Sequence, residues 1–78
     1  MVVFYDRHAR QRQRERFVTD SEVEEVLRDY ESELPAKQGR RNRYKTIRAR
    51  RIRVTFDLEG ADEYYVWTVT ADEVSSPP

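Results

Sequence analysis

The sequence predicts an α+β fold, in which two N-terminal helices pack on a three- to four-stranded antiparallel sheet. Residues 7–16 are good helix formers, without Gly, Pro or a β-branched residue. A helix-capping signal at residues 19–22 starts a second amphipathic segment. Downstream, from Ile52, apolar residues recur with a period of two, which is typical of strands. Because the helical signals precede the strand signals, we expect helices segregated to one face of an antiparallel sheet.

The N-terminal region contains little apolar surface. Residues 2–5 (VVFY) form a short apolar run, and four residues leave open whether it is a brief strand or an apolar plug leading into the first helix. The helix over residues 7–16 has only Ala9 as an apolar residue, flanked by Tyr5 and Phe17. Such a helix must be held by Arg stems lying on a neighbouring surface, by partners for its charges, or by a ligand.

The second helix has clear start and stop signals. Thr19 and Glu22 form a capping box, in which each side chain bonds the other residue's backbone. One apolar stripe follows at helical spacing, made of Val23, Val26, Leu27, Tyr30 and Leu34. Pro35 is expected to close the helix near residues 32–34.

Three strands are predicted after a polar loop at residues 35–42. The strand at 52–58 alternates clearly, the segment 44–50 is its expected partner, and residues 59–62 supply a hairpin turn. The strand at 64–70 (YYVWTVT) is partly apolar on both faces and is therefore predicted to be an inner strand. Tyr65 and Trp67 are expected in the core, and a stacking platform for bases is the less favoured alternative. Residues 1–72 are expected to form a single domain and residues 73–78 a flexible tail.

Composition excludes several kinds of site. The 78 residues contain no Cys, which excludes disulfides, thiol nucleophiles and Cys-ligated zinc. They contain one His, and a single His argues against a His-based metal site. We therefore expect no cofactor and no metal. No apolar run approaches the ~20 residues of a membrane span, and the N-terminus lacks a signal-peptide core, so we predict a cytoplasmic protein without membrane contact.

Although the net charge is zero, the basic and acidic residues are segregated into alternating blocks along the chain. Residues 1–16 carry a net charge of +3, residues 17–34 of −6, residues 35–55 of +9 and residues 56–78 of −6. The nine cations of residues 37–53 are uninterrupted by any acid. Such a cluster either meets a polyanion or faces an acidic segment of its own fold, and both explanations stay open. The candidate nucleic-acid-binding residues are Arg40, Arg41, Arg43, Tyr44, Lys45, Arg51 and Arg53.

Candidate catalytic residues lie on the first helix. His8, Arg12 and Arg16 are four residues apart, so they drift by only about 40° per step and share one face. RNA cleavage without a metal needs a group that takes the 2′-hydroxyl proton, a group that protonates the leaving oxygen, and cations that stabilise the negative charge of the phosphorane. A Tyr is a candidate for the second proton-transfer group. Alternatively, His8 is structural and the two arginines pair with carboxylates of the second helix.

The order of short motifs resembles a protein family. His8-Ala9, Arg12 and Arg16 come first, then a short polar cap and the acidic helix, then the strands that contain Arg43-Tyr44, residues 51–54 and residues 66–70. Over about residues 5 to 70 the chain resembles the small uncharacterised branch of the RelE/ParE-like toxin superfamily near the BrnT toxins. It differs at Gln13 and Phe17, where that family commonly has Met and Gly. The resemblance implies a RelE/ParE-like fold and a bacterial or phage protein of toxin–antitoxin type.

Two functions compete at this point. The first, which the resemblance implies, is a toxin-component-like endoribonuclease that cleaves RNA without metal and is neutralised by an antitoxin protein. The second is a non-catalytic module that binds nucleic acid or an acidic protein through the basic face of residues 37–53. A ParE-like inhibitor of a DNA-processing enzyme is a third, less favoured hypothesis. RNA and an antitoxin are the candidate partners, and a homodimer through a sheet edge is a further hypothesis.

Overall fold

The computed structural model describes residues 1–74 of the chain. In chain order its elements are β1 (Val2–Tyr5), α1 (Arg7–Arg16), α2 (Asp20–Arg28), β2 (Ser32–Pro35), a single 3₁₀ turn (Lys37–Gly39), β3 (Arg41–Ile47), β4 (Arg50–Gly60) and β5 (Glu63–Glu73). Because β5 continues to Glu73, the predicted tail of residues 73–78 starts within a strand. Residues 75–78, the remainder of that prediction, lie outside the described part of the chain.

The five strands form one mixed sheet in the order β1-β5-β4-β3-β2. β2 to β5 pair antiparallel with their neighbours, whereas β1 pairs parallel with β5. β1 and β5 are joined through both helices and the intervening strands, and such a long connection permits parallel pairing. The predicted three- to four-stranded antiparallel sheet of RelE/ParE-like type is therefore wrong, although the chain is a small α+β domain. The prediction that β5 is an inner strand is confirmed.

The second error concerns residues 29–35. α2 ends at Arg28, and Asp29 leaves the helical conformation with φ −132° and ψ 50°. Tyr30 and Leu34, predicted on the apolar stripe of the helix, are exposed. Residues 32–35 instead form an edge strand, where a proline such as Pro35 is tolerated. The predicted loop at 35–42 is accordingly reduced to a tight turn between β2 and β3.

Both helices cover the same face of the sheet. α1 lies against β5, and α2 lies against β3 and β4. The fully buried core between these layers consists of Ala9, Val23, Val26, Leu27, Ile52, Val54, Phe56, Val66 and Val69. Since 78 residues bury only about 60–65% of their unfolded surface, the polar contacts around this small core matter for stability.

Polar contacts hold α1, as its thin apolar face predicts. Arg10 forms an ion pair with Asp20 of α2 at 2.6 Å, and the buried Gln13 donates from Nε2 to the same carboxylate at 2.9 Å. The Arg10 guanidinium also lies 3.7 Å from the centre of the Tyr5 ring. Hydrogen bonding by Gln13, followed by the contact with Arg10, holds the pKa of Asp20 below its ordinary value. The interhelix ion pair is thus made by Arg10 rather than by the predicted Arg12 or Arg16.

The C-terminus of α1 contains a strained residue. Phe17 caps the helix in the left-handed conformation (φ 54°, ψ 48°), and its side chain is 83% exposed. Glycine is the favoured residue at such a cap because a Cβ is disfavoured there. We expect Phe17→Gly to stabilise the protein by about 1 kcal/mol and to raise its Tm by about 4–8 °C. Thermal unfolding checks this, with Phe17→Ala as the control that keeps the Cβ; an equal gain in both variants would contradict the explanation.

No helix in residues 1–74 is long and apolar enough to cross a membrane.

Candidate nucleic-acid interface

Strand alternation sorts the basic cluster between the two faces of the sheet. Arg43 on β3 pairs with Val54 on β4, and both face the helices. Tyr44 pairs with Arg53, and both point to the opposite side. We call this second side, which neither helix covers, the open face. It carries Phe4, Arg40, Asn42, Tyr44, Arg51, Arg53, Thr55, Asp57, Tyr65, Trp67, Thr68, Thr70 and Asp72.

On the helix side, Arg43 is built into the domain. Its side chain is only 11% exposed, and its Nε donates to Glu33 at 2.9 Å. Its Nη1 donates to the carbonyl of Leu27 at 2.7 Å and to the Tyr64 hydroxyl at 3.3 Å. Burial lowers the pKa of Arg43, but the hydrogen bonds with Tyr64 and Glu33 outweigh burial and leave this pKa above its ordinary value. Arg43 therefore joins α2, β2 and β5.

Other cations of the cluster are likewise satisfied by the chain itself. Lys45 bridges Glu25 of α2 and Asp29, the residue that follows this helix, at 2.9 and 2.8 Å; hydrogen bonds to Asp29 and then Glu25 raise the pKa of Lys45. Arg41 pairs with Glu33 at 3.4 Å. Arg50 donates to the carbonyls of Arg16 and Phe17, where α1 ends. On this side, the acidic segment of the same fold neutralises the basic one, which was one of the two explanations left open.

The open face carries a cluster of partly exposed aromatic rings. Tyr65 and Trp67 have ring centroids 4.6 Å apart, and Phe4 lies beside Tyr65 in the pairing of β1 with β5. The Phe4 side chain is 49% exposed. The prediction that Tyr65 and Trp67 belong to the core is wrong, because the core contains the alternate residues Tyr64 and Val66. A β-bulge opposite the Thr55–Phe56 step brings Thr68 as well as Trp67 to the open face.

The open face also carries three guanidinium groups, those of Arg40, Arg51 and Arg53, beside its aromatic rings. Arg40 stacks 3.8 Å from the Trp67 ring centre, and Arg51 lies 4.5 Å from that of Tyr44. Arg53 lies between them on β4, and its buried Nε has no hydrogen-bond acceptor among the described residues. Within residues 1–74 none of the three forms an ion pair. The nearby Asp57 accepts a hydrogen bond from Trp67 Nε1 at 2.8 Å.

A groove borders this face under the turn between β2 and β3. It encloses about 720 Å³ and is lined by Pro35, Ala36, Lys37, Arg40, Asn42, Arg53 and Thr55. Its wall at residues 37–40 is shaped by two successive left-handed residues, Gln38 (φ 61°) and Gly39 (φ 74°). Gly39 is the residue type that adopts this conformation without strain. The groove and the aromatic rings share Arg40.

The predicted catalytic residues lie along α1. His8 and Arg16 are exposed, and Arg12 Nε lies 3.4 Å from His8 Nε2 while its Nη1 pairs with Glu15 at 3.0 Å. None of the three lines the groove. The N-terminus of α1 is joined to the open face by Asp6, whose carboxylate accepts from the His8 backbone N–H and from the Tyr65 hydroxyl, at 3.0 and 3.1 Å. Burial and then the bond to Asp6 raise the pKa of Tyr65, so its hydroxyl remains protonated at neutral pH.

Comparisons with known proteins found no matching family model, no matching curated protein and no matching solved structure. Function must therefore be argued from this geometry.

Proposed function

We propose that this protein binds single-stranded nucleic acid on the open face of its sheet. One observation carries the proposal: Arg40, Arg51 and Arg53 have no carboxylate partner among the described residues, and they lie among partly exposed aromatic rings. Phosphates need cations that are free to pair, and unstacked bases need flat surfaces on which to stack. The open face offers both, since Arg40 stacks on Trp67 and Arg51 lies beside Tyr44.

A single strand suits this surface better than a duplex. In a duplex the faces of the bases are covered by their neighbours, so only base edges in the grooves reach a protein. The rings of Phe4, Tyr65 and Trp67 lie on a sheet, where they offer stacking surface, and neither α1 nor α2 lies on this side to enter a groove. Stacking is worth about 1–3 kcal/mol per base and tolerates any sequence. We therefore expect weak sequence preference.

The first test uses the intrinsic fluorescence of Trp67, the only tryptophan in the chain. Titration with an unlabelled ten-nucleotide oligouridine should quench it, and oligothymidine in parallel measures the preference for RNA. With three phosphate contacts on a single strand, raising the salt concentration fourfold should weaken binding about 20-fold. Absence of quenching, or an affinity that does not change with salt, would refute the proposal.

A second candidate function is a toxin-component-like, metal-independent endoribonuclease. It is favoured by one specific arrangement: Asp6 holds the Tyr65 hydroxyl near the start of α1, where His8 lies against Arg12. In such an enzyme His8 would take the 2′-hydroxyl proton, Arg12 and Arg16 would stabilise the phosphorane, and Tyr65 would protonate the departing 5′-oxygen. An antitoxin partner and a homodimer remain predictions that go with this function.

Incubation of the protein with mixed RNA in EDTA tests this second function. This second function predicts cleavage by the parent protein and a loss of about 10²-fold or more in His8→Ala, since a positioned acid or base contributes about that much. Gln11→Ala, which replaces another exposed residue of α1, is the matched control. Intact RNA with the parent protein, or equal cleavage by the His8 variant, would eliminate this function and leave the binding module.

A further inference from the structure

The groove under the β2–β3 turn has an unusual polar lining. Its charged residues are Lys37, Arg40 and Arg53, and within residues 1–74 no carboxylate lines it. Thr55 donates from its hydroxyl to Asn42 Oδ1, which occupies the amide oxygen and leaves the amide nitrogen of Asn42 as a donor. The groove therefore offers mainly hydrogen-bond donors, and a fitting ligand must present acceptors and negative charge.

The positive charge of the three groove cations exceeds the negative charge of a single phosphodiester inside a strand. A phosphodiester inside a strand carries one negative charge, whereas a phosphate monoester carries about −1.5 to −2 at pH 7. On the helix side, by contrast, two carboxylates meet the single cation of Lys45. Three cations in one groove, with no carboxylate among its described lining residues, match a monoester better than a diester.

Arg53 adds a second observation. Its Nε is buried and has no acceptor among the described residues, while its side chain lines the groove. A partly buried guanidinium that no acceptor neutralises is costly, and native proteins usually satisfy such groups with a ligand, an ion or water. An anion bound at the exposed part of this guanidinium would compensate that cost.

The groove is continuous with the aromatic surface through Arg40, which lines the groove and stacks on Trp67. We propose that the groove binds the phosphate monoester at one end of a nucleic-acid strand, so that the terminal base lies toward Trp67. This inference rests on the proposed function and adds to it a preference for strand ends that carry phosphate.

Four forms of one ten-nucleotide oligouridine test the proposal. They carry hydroxyl groups at both ends, a 5′-phosphate, a 3′-phosphate, or the methyl ester of the preferred phosphate, which fixes its charge at −1. At pH 7.5 we expect one monoester to bind about tenfold more tightly than the hydroxyl form. This preference should shrink at pH 5.5, where the monoester loses its second charge, and it should be absent for the methyl ester. Equal affinity of all forms overturns the groove proposal while leaving the proposed function intact; binding by none overturns both.

Inorganic phosphate and two variants complete the test. If inorganic phosphate alone competes as well as the phosphorylated oligonucleotide does, the groove is a site for free phosphate and the strand-end proposal is wrong. Lys37→Gln should reduce the preference for the monoester. Arg48→Gln makes the same change of charge at the exposed turn between β3 and β4 and should keep the preference. Retention of the full preference in Lys37→Gln would also overturn the proposal.

Discussion

Replacing Arg43 with leucine is expected to lower the free energy of unfolding by about 3 kcal/mol, because three partners around this largely buried side chain lose a charged hydrogen-bond donor. Glu33 would lose its closest cation, and the Leu27 carbonyl and the Tyr64 hydroxyl would each lose a donor. Leucine fills part of the space but offers no donor to these three groups. Urea unfolding followed by far-ultraviolet circular dichroism measures the change.

Arg41 provides the matched control for this prediction. It pairs with the same Glu33, but its side chain is 55% exposed. Exposed ion pairs contribute about 0–1 kcal/mol, so Arg41→Gln should change stability by less than 1 kcal/mol. If the Arg43 variant were as stable as the Arg41 variant while binding of nucleic acid fell, Arg43 would belong to the interface, and its assignment as a structural residue would be wrong.

The parts of the fold that could be predicted are those with local signals. The helical composition of α1, the capping box of α2 and the alternation in β4 all act within a few residues of chain, and each element lies close to where the sequence places it. β1 and β2 have four residues each and gain their stability from pairing with strands distant in sequence. No local pattern specifies such pairing, so the strand count and the parallel edge were missed.

The site could be predicted only in part, for a related reason. Alternation along β4 correctly opposes Arg51 and Arg53 to the apolar residues Ile52 and Val54. Whether Arg43 and Lys45 pair with acidic residues of the domain or stay free for a ligand depends on the register of β3 against β4 and on the position of α2. The sequence of a single strand specifies neither. Tyr65 and Trp67 were misassigned to the core because both faces of β5 contain apolar residues, and the sequence does not state that only one face is covered.

The largest functional effect should come from removing all three open-face arginines. In the triple variant Arg40→Gln, Arg51→Gln and Arg53→Gln, the aromatic rings stay in place while the phosphate partners are lost. With roughly 1 kcal/mol for each contact, affinity for the ten-nucleotide oligouridine at low salt should fall about 100-fold or more. The salt dependence should nearly vanish, because each phosphate contact contributes about one unit or less to the slope of log affinity against log salt.

A second triple variant separates local contacts from overall charge. Arg7→Gln, Arg28→Gln and Arg48→Gln remove the same total charge from exposed positions outside the open face, without breaking an ion pair between described residues. If binding depends on the overall charge of the protein, both triple variants should lose affinity equally. If it depends on direct contacts with the open face, the control variant should retain most of its affinity and most of its dependence on salt concentration. Equal losses in the two variants would show that net charge rather than the open face governs binding, and the interface would then have to be sought elsewhere on the domain.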